Sequence, residues 1–291
     1  MATGRKRGPG WRHAKISGHK LEEHLTQELQ NKPEVFSTIS QRVFGESLGT
    51  PKKVASGGIS AGHVPDVFGK STPSKTDIYV EWSNSKNIRI SLKKSTGGQV
   101  YLTSVERFFD GFEIQFDQVV PDSVRSTTSL FIGGAASKCD LVMKGKQYFG
   151  PVHKNSGQLQ EKYQDRVVGI TLDHHFPTEV KTMFDWFNAN MQLLCEFIFS
   201  RGYALDATNF SSHLWYFVTE EPKIGDIDQF FSIKELSKKC ASASTVCFGS
   251  KNGGSTIQFP FGFMQMHRPG GINQIQFHHS YEKLSELLVG L

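Results

Sequence analysis

The stretch Asp77-Ile78-Tyr79-Val80-Glu81-Trp82-Ser83-Asn84-Ser85-Lys86-Asn87-Ile88-Arg89-Ile90-Ser91-Leu92-Lys93 decides how this chain is read. Polar and apolar residues broadly alternate through 77–82 and again through 88–93, the period of two that half-buried strands require. Between them, Ser83 to Asn87 is a short polar segment of hairpin-loop composition. A loop centred near Ser85 sets Asp77 opposite Lys93, Tyr79 opposite Ser91 and Glu81 opposite Arg89. Side chains alternate across a strand, so these six share one face. Ile78, Val80, Trp82, Ile88, Ile90 and Leu92 fill the other face, where helices can cover them.

Working outward, Gly18 to Gln30 reads as a helix whose apolar stripe is Leu21, Leu25 and Leu29. Residues 51–75 are rich in Gly, Ser, Lys and Pro and are expected to form an extended, mostly irregular approach loop. Strand character recurs at Val100–Leu102, Ser129–Ile132, Val167–Leu172 and Leu214–Val218. Pro177 to Ser200 carries the longest helical pattern, with Val180, Phe184, Phe187, Met191, Leu194 and Ile198 at helix spacing. Arg201-Gly202 is a suitable stop. A Gln-rich β-region (Thr256–His267, Ile272–His279) and a short helix (Tyr281–Leu288) close the chain. The expected class is α/β or α+β, a mixed β-sheet flanked by helices.

The length, 291 residues, is enough for a sizeable core, and 37% hydrophobic with 21% charged residues is ordinary for a globular protein. The 23 phenylalanines read as core. No apolar run approaches the ~20 residues of a membrane span. The basic start lacks the apolar segment of a signal peptide, so a cytoplasmic location is expected. Cys139, Cys195, Cys240 and Cys247 form no CxxC pair and read as reduced, partly buried thiols. The formal net charge is +5. It is concentrated in Arg5, Lys6, Arg7, Arg12, Lys15 and Lys20, with no acid before Glu22 and with Trp11 among them. Such an arm suits a polyanion, because each neutralised phosphate releases counterions. The organisation read from this is an arm at 1–17 and one domain at 18–291.

Hydrolysis of a phosphodiester requires what the 77–93 hairpin gathers. Hard carboxylate oxygens hold Mg²⁺, the metal polarises the phosphoryl oxygen and acidifies water, and a lysine orients or deprotonates that water. Asp77 is thus the candidate metal ligand and Lys93 the water-activating cation. Ser91 shares their face nearest the metal position, and Glu81 or a more distant acid is left to supply a second charge.

Two segments, Ser71-Thr72-Pro73-Ser74-Lys75-Thr76-Asp77 and Ile90-Ser91-Leu92-Lys93-Lys94, resemble the PD-(D/E)XK nuclease core. That core sets an aspartate on one strand and an acidic-x-Lys triplet on the next. The likeness is to type II restriction endonucleases of the MspI kind, which tolerate a non-acidic middle residue, here Ser91. The resemblance implies a prokaryotic, Mg²⁺-dependent, sequence-specific endonuclease acting on double-stranded DNA, with its catalytic core at about 18–135 and its recognition elements mainly at 205–291. It also implies a glutamate ligand on the preceding helix, at Glu22 with Glu23 as fallback. Pro65-Asp66 is a literal "PD" but stands outside a strand pattern and ranks below Asp77.

Arg5, Arg7, Arg12, Lys15, Lys94 and Lys251 are the candidate phosphate contacts. Gln265, His267, Arg268, Asn273, Gln274, Gln276, His278 and His279 carry amide, imidazole and guanidinium groups of the kind that base-edge readout requires. Asp173-His174-His175, a possible metal motif, reads instead as a turn before the long helix. Expected partners are duplex DNA, a second copy where the target is palindromic, and a cognate DNA methyltransferase as genetic partner. A repair or junction nuclease and a non-catalytic DNA-binding protein are the alternatives.

Overall fold

The computed structural model describes residues 23–56, 63–93, 96–132, 168–205, 214–218, 230–243, 245–251, 253–267 and 274–288. In chain order the first elements are a helix over 23–31 (α1), α2 (Pro33–Phe44), β1 (Lys53–Ser56), β2 (His63–Pro65), β3 (Ser71–Pro73), β4 (Ile78–Glu81), β5 (Asn87–Lys93) and β6 (Gly97–Ser104). Helices α3 (Val105–Phe116), α4 (Asp122–Ile132), α5 (Gly169–His175), α6 (Pro177–Ala189) and α7 (Met191–Glu196) follow, with a π-helical turn at Phe197–Arg201. The rest are β7 (Leu214–Val218), β8 (Phe230–Ser232), α8 (Ile233–Ser242), β9 (Cys247–Phe248), β10 (Ile257–Phe259), β11 (Gly262–Met266), β12 (Gln274–Ser280) and α9 (Tyr281–Leu288). The class is mixed α+β, and among the described residues there are two five-stranded sheets and the two-stranded β2–β3 ribbon. Contacts divide the chain into two compact units. Among the described residues no helix is long and apolar enough to cross a membrane.

The first unit contains α1, α2 and the sheet β1-β4-β5-β7-β8. β5 and β7 run parallel, and the other neighbours are antiparallel. Leu25 and Leu29 of α1 join Phe36 and Ile39 of α2 over Ile78, Val80, Trp82, Ile88, Ile90 and Leu92. The apolar face expected of the 77–93 stretch is therefore the floor of this core. Trp82 is met edge-on by Phe36 and Phe44, and its indole N–H donates to the Gly49 carbonyl at 2.9 Å.

The hairpin forms, with its register two residues from the expected one: Tyr79 faces Arg89 and Glu81 faces Asn87. The cause is the loop. Ser85 N–H closes a turn onto Trp82 O at 3.0 Å, and Ser85 itself is left-handed at φ 64°. This three-residue loop centres on Asn84, not Ser85. A slip of two preserves which side chain faces which way, so the polar and apolar faces survive it.

Residues 51–75 depart from the irregular loop expected of them. They supply β1, which adds an edge strand to β4 (Val54 beside Val80), and the β2–β3 ribbon.

The second unit holds the antiparallel sheet β6-β12-β11-β10-β9 and helices α3 to α9. Ile257, Phe259, Met264, Met266, Ile275 and Phe277 point inward, one per two residues, against a phenylalanine-rich core that includes Phe108, Phe112, Phe187 and Phe197. Gly111 must lack a side chain, because a Cβ there would lie 2.4 Å from the Tyr203 ring. Cys195 and Cys240 are buried free thiols and Cys247 an exposed one; Cys139 lies outside the described residues.

Three local expectations are overturned here. Ser129–Ile132 is the end of α4, whose buried Val124, Thr127, Leu130 and Phe131 follow helical spacing. A short apolar run fits a strand or a buried helix equally well, and length decides. Val168 caps α5 and residues 169–172 are helical, so the expected strand at Val167–Leu172 is absent from the described part of that segment. Asp173-His174-His175 is the last turn of that helix and not a loop turn. The long helix from Pro177 buries Val180, Phe187, Met191, Leu194 and Ile198 as read, but it breaks at Asn190. It then widens into the π-helical turn before Gly202, whose φ is 52°.

Candidate active site on the first sheet

Asp77 immediately precedes β4, and its backbone N–H donates to Ile90 O at 2.8 Å, which pins it beside Ser91. The Asp77 carboxylate oxygen Oδ2 accepts the Leu92 N–H at 2.6 Å and the Ser91 hydroxyl at 3.3 Å. Lys93 Nζ in turn donates to Ser91 Oγ at 3.1 Å and to Leu92 O at 3.2 Å. Its ammonium stands 3.9 Å from Asp77 Oδ2. The result is a directed chain in which Lys93 donates to Ser91 and Ser91 donates to Asp77. Ser91 is only 1% exposed, beneath two partly exposed charged neighbours.

Lys75 completes the group. Burial, with the Lys93 charge close by, lowers its pKa to about 7, and Asp77 pulls the other way. It belongs to the same period-two series as Asp77 and Tyr79, a signal the sequence contained but which was not given a role. Glu81 does not join the site. Four residues along the strand put it about 13 Å from Asp77, and its Oε2 accepts the Tyr79 hydroxyl at 3.2 Å. Burial, then the neighbouring Glu81, raises the Tyr79 pKa.

Glu22 lies outside the described residues, and Glu23 is exposed on α1. Among the described residues no three His, Cys, Asp or Glu side chains converge. The donor set seen around Asp77 is one carboxylate with a hydroxyl behind it. Hard oxygen donors of this kind fit Mg²⁺, which commonly takes one or two carboxylates and keeps waters and phosphate oxygens for the rest. Asp66, the other aspartate considered, is spent on its own loop. It is buried, its Oδ1 accepts the N–H groups of Phe68 and Lys70, and Arg107 lies 3.6 Å from its Oδ2.

The candidate reading residues of the second unit fall on the outer face of β11 and β12. Gln265 pairs with Gln276 in the ladder, and its amide N–H donates to Gln276 Oε1 at 3.1 Å. A second contact runs from Gln265 to His278 Nε2 at 3.2 Å. The amide can only donate there, so that imidazole nitrogen accepts and the ring is neutral. Burial, then the charge of His267, lowers the His278 pKa in the same sense. His267 meets Gln274 at 3.1 Å, and Gln276 donates to Gln99 Oε1 at 2.8 Å. Gln99 was not anticipated, and His279, the neighbour of His278, is buried at 1% exposure and does not share this outer face. Lys251 is exposed in the loop before β10; Arg5, Arg7, Arg12, Lys15, Lys94, Arg268 and Asn273 lie outside the described residues.

No family model and no curated protein matches this sequence. Among solved structures the chain is similar to the crystal structure of restriction endonuclease MspI in complex with its cognate DNA, at 12% identity and a TM-score of 0.34. The match covers 70% of this chain and 63% of that one, less than two thirds of its length. A likeness of that size carries no argument, so function rests on the chemistry of Asp77, Ser91 and Lys93.

Proposed function

We propose that this chain is a Mg²⁺-dependent endonuclease that hydrolyses phosphodiester bonds in duplex DNA, with the sequence specificity of a type II restriction enzyme. The observation that carries the reading is the Lys93–Ser91–Asp77 chain on the polar face of β4 and β5. An aspartate and a lysine held on one side of a sheet by a shared hydroxyl form a compact pair for phosphoryl chemistry.

Asp77, with Glu22 as the expected second acid, would hold Mg²⁺. Bound there, the ion would supply Lewis-acid polarisation of the phosphoryl oxygen and a more acidic water. Lys93 meets the phosphoryl group with its ammonium and offsets the negative charge that grows as water attacks in line. Ser91 is a positioning residue: buried and bonded on both sides, it fixes the Lys93 ammonium relative to the Asp77 carboxylate. On the second unit, Gln265, His267, Gln274 and Gln276 present groups suited to base edges, and the basic arm supplies phosphate contacts. A cytoplasmic setting, a dimer on a palindromic site and a partner methyltransferase belong to the same reading.

A second reading has one observation in its favour. Among the described residues no three His, Cys, Asp or Glu side chains gather at the site, as in a DNA-binding protein that does not cut.

Plasmid DNA incubated with the protein and Mg²⁺, then with EDTA, separates the two. Discrete fragments with metal and none with chelator are expected. Asp77→Ala and Lys93→Ala should each lower the cleavage rate at least ~10²-fold while retaining DNA binding. Normal cutting by both variants would overturn the site. Metal-independent binding without any cleavage would select the second reading.

A further inference from the structure

On the sheet of the first unit, the neighbours of the Asp77 site are cationic and share its face. Residues directly paired across antiparallel strands point the same way. Lys53 pairs with Glu81, Ala55 with Tyr79, and Tyr79 with Arg89. Lys53, Tyr79, Arg89, Ser91 and Lys93 therefore stand together on one side. Tyr79, on the middle strand, is approached from both flanks. Lys53 Nζ lies 5.7 Å from its ring centre and the Arg89 guanidinium 5.5 Å. The Tyr79 hydroxyl is meanwhile taken by Glu81.

Two cations converging on one ring repel each other, and a cation–π contact at an exposed site is weak. With Lys75 and Lys93 the face carries four basic side chains against Asp77 and Glu81. Along β5, Arg89, Ser91 and Lys93 are spaced by two residues, about 6.7 Å per step. Of these three only Arg89 and Lys93 are cations, about 13 Å apart, with Lys53 on β1 flanking the same face; basic groups that lead to the reactive pair in this way suit a chain of anions.

We propose that the outer face of β1, β4 and β5 is a track for the phosphate backbone of a DNA strand, in which Lys53 and Arg89, braced on Tyr79, hold phosphates that flank the one presented to Asp77 and Lys93. This rests on the nuclease reading for the identity of the anion. Lys53 and Arg89 act as phosphate-positioning residues. They carry no sequence information, since phosphate contacts fix register and not base identity. Tyr79 orients them and touches no reacting atom.

The test measures binding of a labelled 20-bp DNA duplex in EDTA, where no cutting occurs, over a range of salt concentrations. Each phosphate contact on B-DNA contributes about 0.9 to the slope of log affinity against log salt. Lys53→Gln and Arg89→Gln should each reduce the slope by about that amount, and the double variant by about 1.8. Arg89→Lys, which keeps the charge and disturbs the sheet least, should retain the slope. Thermal midpoints near that of the parent establish that the variants fold. A double variant whose slope equals the parent's overturns the track, as does a parent that does not bind the duplex. The two readings fail separately. Cleavage by a parent whose slope is insensitive to both substitutions leaves the nuclease standing without the track. A slope that falls in a protein that never cuts leaves the track on a binding surface.

Discussion

The β4–β5 and β11–β12 hairpins each bury one face in an aromatic core and present polar groups on the other, yet they equip that face differently. On β4–β5 the groups are charged, and one hydroxyl ties an ammonium to a carboxylate. On β11–β12 they are amides and imidazoles that bond to one another: Gln265 to Gln276 and His278, His267 to Gln274. Charges held partly out of water keep a strong field for whatever approaches, because desolvation weakens screening. Amides that already satisfy each other would have to exchange those bonds for any ligand they met, so their net contribution to affinity would be small. The first face is suited to chemistry and attraction, the second to selection.

The largest expected effect probes what both faces share, a buried aromatic floor. Trp82 is fully covered by α2 and anchors the first sheet. Trp82→Ala should cost about 3–5 kcal/mol of stability, the usual loss for emptying a large aromatic site, read from urea denaturation by circular dichroism. A loss below ~1 kcal/mol would show that this floor does not hold the polar face of β4 and β5 in place.

Ser91→Ala sharpens the contrast between the faces. It removes the hydroxyl that joins Lys93 to Asp77 without adding bulk at a covered position. The cleavage rate should drop about tenfold, the equivalent of one ordinary hydrogen bond of ~1.4 kcal/mol, with duplex affinity unchanged. Ser91→Thr, which keeps the hydroxyl, should recover part of the rate. An unchanged rate in Ser91→Ala would mean that lysine and aspartate need no bridge.

Much of the first face was legible because its code is local. Alternation over Asp77–Lys93 identified both sides of the hairpin, and Leu25 and Leu29 marked the covering helix. The register was not legible, since it depends on a left-handed Ser85 that no glycine announces. β1 was missed because Lys53–Ser56 shows no alternation of buried and exposed positions; its partner β4 supplies the reason for it to be a strand. Ser129–Ile132 was misread because four residues cannot distinguish a buried strand from the end of a helix. On the second face, Gln265, His267, Gln274 and Gln276 were visible in the composition of one segment. Gln99, 177 residues before the Gln276 it accepts from, has no local signal at all.

The smallest effect expected belongs to the neutral face and concerns pH. Burial and His267 hold the His278 pKa below its ordinary value, and its Nε2 accepts from Gln265 only while the ring is neutral. An unfolded chain takes up this proton near pH ~6.5, whereas the folded chain resists until lower pH. In that interval the unfolded state binds more protons, so stability rises with pH. The contribution is full above the unfolded value and is lost as pH falls through the lowered folded one. Urea midpoints of the parent should therefore decline between pH 7.5 and pH 5.5 more steeply than those of His278→Gln, whose amide can still accept from Gln265 but does not titrate. Parallel declines in the two proteins would show that the proton on His278 is not what the amide ladder excludes.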